Sequence, residues 1–138
     1  DMDWDTQMER YIPVYDLNED ADLGDVIVKL ESVTLDYNNE NVVKPQTGYK
    51  YVAYKVHIKN ISNYNFNLYE PLITMLCDDG NVYGSDYNKV YSNTNLISVT
   101  IKPGEITTGI IAFEIPINTE EEEIIFPINE NTYKFEVN

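Results

Sequence analysis

The sequence predicts an all-β domain built as an antiparallel sandwich of about seven strands. Three observations carry that prediction. Apolar and polar side chains alternate through "YKYVAYKVHIKN", residues 49–60, with the period of two that marks a half-buried strand, and the apolar run "GIIAFEIP", residues 109–116, sets Ile111, Phe113 and Ile115 on one face. Turn-forming pairs, Asp79-Gly80 and Pro103-Gly104, and the cluster "NISNYNFN" at residues 60–67 punctuate these runs at short intervals. No stretch carries a convincing helical period, which argues against alternating strands and helices.

Taken in order, residues 1–10, "DMDWDTQMER", are acidic and weakly patterned. They are expected to form a flexible tether ahead of a single domain over residues 11–138. In "DVIVKLESVTLDY", residues 25–37, Val26, Val28 and Leu30 share one face of a strand, whereas Val33, Leu35 and Tyr37 share the other. The phase therefore slips near Glu31 and Ser32, and a bulge or a change of sheet is expected there. In residues 49–60, Val52, Tyr54, Val56 and Ile58 face the core and Lys55, His57 and Lys59 face solvent. The Asn-rich cluster that follows ends the strand, because Asn and Ser side chains satisfy backbone groups locally.

"LITMLCDDGNVYG", residues 72–84, gives an apolar strand, a turn at Asp79-Gly80 and a short return through Val82 and Tyr83. Residues 84–99 lack clean periodicity and read as a long crossing loop. Beyond the Pro103-Gly104 turn, Ile111, Phe113 and Ile115 point inward until Pro116 ends the strand. Residues 124–126 and 132–137 supply two more short strands.

The 138 residues suit one core. Acidic residues outnumber basic ones 24 to 9, for a net charge of −15, and the basic residues look scattered along the chain. Such a surface repels nucleic-acid phosphates and anionic membranes, so no nucleic-acid partner is expected. No apolar run approaches the ~20 residues of a membrane helix, and this segment is expected not to insert in a membrane. Cys77 is the only cysteine, so the fold rests on packing rather than on an internal disulfide.

The stretches "GYKYVAYKVHIKN", "LCDDGNVY", "IKPGEITTGIIAFEIP" and "IIF" resemble, in order and spacing, the domain-of-unknown-function family 4352. This is a telokin-like, immunoglobulin-type module of Gram-positive surface lipoproteins. The resemblance runs from about Gly24 to Phe126 and is most specific at Pro103-Gly104-Glu105, Gly109 and Phe113. Those residues are architectural: Gly104 permits a positive φ, Gly109 allows a close approach or a bulge, and Phe113 fills the space between sheets. Ile73 and Cys77 depart from the pattern, which favours phenylalanine and a polar residue there. The resemblance implies an immunoglobulin-like fold and an extracellular location, with a lipidated cysteine and a removed signal upstream of Asp1.

Residues able to carry chemistry are few. His57 is the only histidine, and beside Lys55 and Lys59 it reads as a solvated strand residue rather than a general base. Cys77 reads as a buried small hydrophobe, its thiolate disfavoured by two neighbouring aspartates. Asn60-Ile61-Ser62 is a formal glycosylation sequon and is read as a turn. Asp78, Asp79, Glu120 and Glu121 supply the hard oxygen ligands that calcium prefers, but in no dedicated loop spacing, so a diffuse acidic surface without a cofactor is expected. Tyr64, Phe66, Tyr83, Tyr87 and Tyr91 stand among asparagines and serines, the chemistry of a sandwich-loop paratope for a protein or glycan.

The function expected is therefore a non-enzymatic extracellular binding or scaffold module. The alternatives are a purely structural spacer or assembly subunit, a calcium-dependent binding domain and a hydrolase; the hydrolase lacks a clustered acid, base or metal set.

Overall fold

A computed structural model of the chain describes residues 13–36, 38, 40, 42–69, 72–86, 99–128 and 130–138. Within them the chain forms, in order, β1 (Val14–Asp16), β2 (Ala21–Asp22), β3 (Val26–Val33), β4 (Tyr49–Asn60), β5 (Phe66–Leu68), β6 (Thr74–Cys77), β7 (Val82–Gly84), β8 (Val99–Ile101), β9 (Ile106–Pro116), β10 (Glu121–Ile128) and β11 (Asn131–Glu136). The strands beyond the seven or so expected are two- and three-residue pieces, too short to show periodicity in sequence.

One sheet has the order β2-β3-β4-β9, a second has the order β1-β11-β10-β6-β7, and β5 pairs with β8 apart from both. Pairing is antiparallel except between β1 and β11, which run parallel. Alternation dictates the inner faces. Val28, Leu30, Val56, Ile58, Ile111, Phe113 and Ile115 of the first sheet meet Met75, Ile124, Phe126 and Phe135 of the second in one apolar cluster. Phe66, Leu68 and Ile101 from β5 and β8 join the same cluster. Tyr54 and Phe113 pack ring on ring at 6.5 Å, and Phe126 meets Phe135 edge-on at 6.0 Å. Both departures from the family pattern fit here, since Ile73 and Cys77 are each 1 % exposed. The result is an immunoglobulin-like β-sandwich.

The expected bulge at Glu31 and Ser32 does not occur. β3 pairs with β4 residue for residue from Val26↔Asn60 to Val33↔Ala53. The phase slips because the strand is covered on both faces at one end. Leu35, Val42, Tyr51, Ala53 and Ala112 form a second small core on the outer face, with Val33 and Ile110 packed against it. The Tyr51 hydroxyl donates to the Val43 carbonyl at 2.6 Å and holds the covering chain in place. The same cover buries Tyr51 and Ala53, which alternation alone places toward solvent, whereas Val52 is only half-buried. Gly109 lies opposite Val56 in an unbroken register, so no bulge occurs there either. The register shift lies instead between Glu121 and Glu123, where β10 meets β6.

Lys102 to Glu105 form a tight turn closed by Glu105 N–H donating to the Lys102 carbonyl at 3.0 Å. Gly104, at φ +81°, occupies the position that a type II turn reserves for glycine, and Pro103 presets the one before it. After β7 the chain changes sheets: Ser85 bridges to Phe113 on β9, and Asp86 N–H donates to the Ala112 carbonyl at 2.8 Å. The remainder of the expected crossing loop, residues 87–98, lies outside the described residues, as do residues 1–12 and the proposed tether. Among the described residues no helix is long and apolar enough to cross a membrane.

Candidate functional site

The turn cluster after β4 is organised by Asn60, which is fully buried. Its Nδ2 donates to the carbonyls of Tyr64 and Ile101, each at 2.8 Å, and its Oδ1 accepts from Ser62 N–H at 2.9 Å and Ser62 Oγ at 2.6 Å. Its backbone clasps the Pro103-Gly104 turn, donating to the Glu105 carbonyl at 3.0 Å and accepting from Gly104 N–H at 2.9 Å. The sequon asparagine is thus a structural hub with both amide hydrogens engaged, inaccessible to a glycosyl group in the folded chain.

That hub presents Tyr64, 53 % exposed, at the molecule's surface. A hydrogen bond with the Asp25 carboxylate holds its phenol above the usual pKa. Phe66, expected beside it as a contact residue, is 5 % exposed and packed in the main core, so its ring offers no contact surface. It alternates with Asn67 in a three-residue strand, too short for the alternation to be read as a strand. Tyr87 and Tyr91 lie outside the described residues.

At the β6–β7 hairpin, Asp79 accepts Asn81 N–H on Oδ1 at 2.9 Å, and on Oδ2 it accepts the Tyr83 hydroxyl at 2.6 Å and Asn81 Nδ2 at 3.2 Å. The Tyr83 hydrogen bond lowers the Asp79 pKa and raises that of Tyr83 itself. Asp78 and Glu120 meet as backbone neighbours: Glu120 N–H donates to Asp78 Oδ1 at 3.0 Å, and Asp78 N–H donates to the Glu120 carbonyl at 2.9 Å. Glu121 pairs across from Cys77. The four candidate metal ligands are therefore brought to one end of the second sheet, with Asp79 engaged in its own hairpin and Asp78 engaged by Glu120 N–H. Among the described residues no three His, Cys, Asp or Glu side chains gather in an arrangement that could hold a metal ion.

Cys77 itself is buried, and its pKa rises from the usual 9.0 to about 11. Burial is the larger cause, followed by the charges of Asp79, Glu121 and Asp78. Desolvation thus outweighs the aspartates that the sequence brought to mind.

The outer face of β3, β4 and β9 departs most from the sequence reading. His57 is half-buried rather than freely solvated: its Nε2 lies 2.8 Å from Glu31 Oε2 and its Nδ1 lies 3.1 Å from Thr108 Oγ1. The hydrogen bond with His57 is the main cause that lowers the Glu31 pKa. Lys29 stands directly opposite His57 in the β3–β4 register, and its Nζ lies 3.8 Å from Glu31. With Lys55 and Lys59 on the same side of β4, three of the nine basic residues and the one histidine share a face. Glu31, Asp20 and Asp22 lie on the same face, so the lysines form no net basic patch there. Asp20, Ile27, Lys29, His57, Lys59 and Ile106 border a shallow hollow of about 380 Å³ on this face. Alternation in sequence placed Lys55, His57 and Lys59 together, but only cross-strand register adds Lys29.

These features define an immunoglobulin-like sandwich whose one histidine and one cysteine stand on different sheets, one on an outer face and one in the core. The chain belongs to the family described as "Domain of unknown function (DUF4352)", whose model matches residues 15–134. Among solved structures it is similar to the yjhA protein of Bacillus subtilis (12 % identity, 90 % of this chain and 99 % of that one, TM-score 0.66). It is also similar to MPT63, a secreted protein of Mycobacterium tuberculosis (16 % identity, 91 % and 98 % covered, TM-score 0.57). A third match is ycdA, a candidate lipoprotein of Bacillus subtilis (14 % identity, 80 % and 36 % covered, TM-score 0.55). At these identities the likeness concerns the fold. No curated protein matches the sequence.

Proposed function

We infer that the chain is a non-enzymatic extracellular binding or scaffold module of a bacterial cell-surface protein, held outside the membrane by a lipoprotein anchor. The observation that supports the non-enzymatic reading is that His57 lies on an open sheet face: the buried Cys77 is on the other sheet, and the one hydroxyl within reach of the imidazole among the described residues, that of Thr108, is exposed rather than enclosed in a cleft. Both inner faces are committed to one core, which leaves recognition to outer faces and turns such as the one presenting Tyr64. The location draws support from the secreted and lipoprotein descriptions of similarly folded proteins. It is tested by producing the full-length protein with a C-terminal epitope in its source bacterium and treating intact cells with protease. Loss of the epitope from intact cells is the expected result; protection until lysis overturns the location.

A further inference from the structure

We propose that a cleft at one end of the sandwich, between β3 and β4 of the first sheet and β10 of the second, binds a small organic cation, a primary ammonium on a short alkyl stem. Glu121 and the Tyr54 hydroxyl hold its nitrogen. The site is independent of the binding-module reading, which leaves recognition to outer faces and turns. The cleft measures about 180 Å³, below the ~300–1,000 Å³ of pockets for drug-sized ligands, and suits a short chain. The inward row of β3 shows why it opens. Val26, Val28 and Leu30 are fully buried, but the next positions on that row are Ser32 and Thr34, both exposed, and Ser32 stands opposite Tyr54 in the register. Short polar side chains there leave the space between the sheets unfilled.

Tyr54 lies beneath this opening. It is 2 % exposed and its ring packs on Phe113, yet its hydroxyl has no hydrogen-bond partner among the described residues and lines the cleft together with Glu121. A buried hydroxyl left unmet costs free energy, which a ligand that bonds it recovers. Burial, and after it the Glu121 charge, raise the phenol's pKa, so the hydroxyl stays neutral at ordinary pH. No lysine or arginine lines the cleft, and the ion pairs among the described residues both involve Glu31. Lys50, the inward residue of β4 beyond Val52, therefore makes no ion pair with Glu121. Glu122, Glu123 and Glu136 stand at the same end and add negative potential, so a cation is selected. Donor count selects its form. Calcium takes six to eight oxygens, and among the described residues no three His, Cys, Asp or Glu side chains gather to hold a metal. A primary ammonium has three N–H donors, which one carboxylate and the hydroxyls of Tyr54 and Ser32 match. Val52 and the Tyr54 ring receive the alkyl stem.

The test is an amide-resolved NMR titration of the full chain with n-butylammonium chloride, with sodium chloride and n-butanol as controls at matched concentration. Saturable shifts are expected at residues 32–34, 52–54 and 121, with a midpoint of about 1–5 mM. Glu121→Gln should weaken binding by about tenfold, and Tyr54→Phe, which keeps the ring in the core, by about threefold or more. Glu136→Gln, which removes the same charge outside the cleft, should stay within about twofold. Equal loss in Glu121→Gln and Glu136→Gln, no effect of Tyr54→Phe, equal saturation by n-butanol, or no saturation by ~50 mM amine overturns the proposal. Nα-acetyl-lysine amide separates the two sources of such a group: binding tighter than n-butylammonium assigns the cleft to a partner's lysine side chain, weaker binding assigns it to a free amine, and either supports the ammonium site.

Discussion

Asn60 is the residue on which most of the local architecture turns. Its side-chain amide joins the end of β4 to β8 and to the 62–64 turn, and its backbone holds the Pro103-Gly104 turn. Asn60→Ala leaves the buried Ile101 carbonyl without its donor and takes the acceptor from Ser62 N–H, while Ser62 Oγ and the Tyr64 carbonyl keep each other. A loss of about 2–4 kcal/mol in urea unfolding is expected, and a loss under ~0.5 kcal/mol would show that water replaces the amide. Cys77 gives a prediction of opposite character, in pH. Its folded pKa, about 11, lies above the usual 9.0, so the folded chain holds this proton more tightly than the unfolded one. The stability it contributes is complete below pH 9.0 and fades as pH rises through about 11. The parent chain should therefore lose stability across that window more steeply than Cys77→Ala, and native Cys77 should alkylate slowly at neutral pH. Rapid labelling there would contradict the buried thiol.

At the scale of elements, what the sequence revealed depended on how each strand is covered. β9, apolar on one face through Ile111, Phe113 and Ile115, announces its inner side directly, and all three are fully buried. Phe113→Ala should cost about 3–5 kcal/mol in a chemical melt, since the ring is fully buried in the main core beside Tyr54. A loss below ~1 kcal/mol would place Phe113 on the surface. β3 was harder to read because two cores use it, one on each face, so a true change of cover imitates a slip of register. Phe66 was misplaced for a related reason: in a strand of three residues, one inward aromatic among asparagines looks like loop decoration. The mixed-charge face around His57 was half legible. Lys55, His57 and Lys59 share one strand, but Lys29 and the contact between Glu31 and His57 depend on pairing between strands distant in sequence, which composition cannot express.

For the whole molecule the dominant fact is the charge of −15. Asp16, Glu136 and Glu123 stand directly opposite one another across three adjacent strands of the second sheet, an arrangement that repels itself. Salt should therefore stabilise the chain by screening rather than by site binding, because Asp79 is engaged in its own hairpin and Asp78 is engaged by Glu120 N–H. Calcium and magnesium at matched ionic strength should raise the melting temperature equally; a calcium-selective rise of several degrees at sub-millimolar ion would reveal a dedicated site.

The charge is negative over the second sheet and mixed on the outer face of the first, where Lys29, Lys55 and Lys59 stand among Asp20, Asp22 and Glu31. The account of the molecule rests on one core shared by two sheets. Amide hydrogen exchange of the full chain, resolved by NMR, tests it most directly. The account predicts the slowest exchange, set by one global unfolding step, in β3, β4, β9 and β10 alike. Fast exchange in β3 and β4 beside slow exchange in β10 would contradict it.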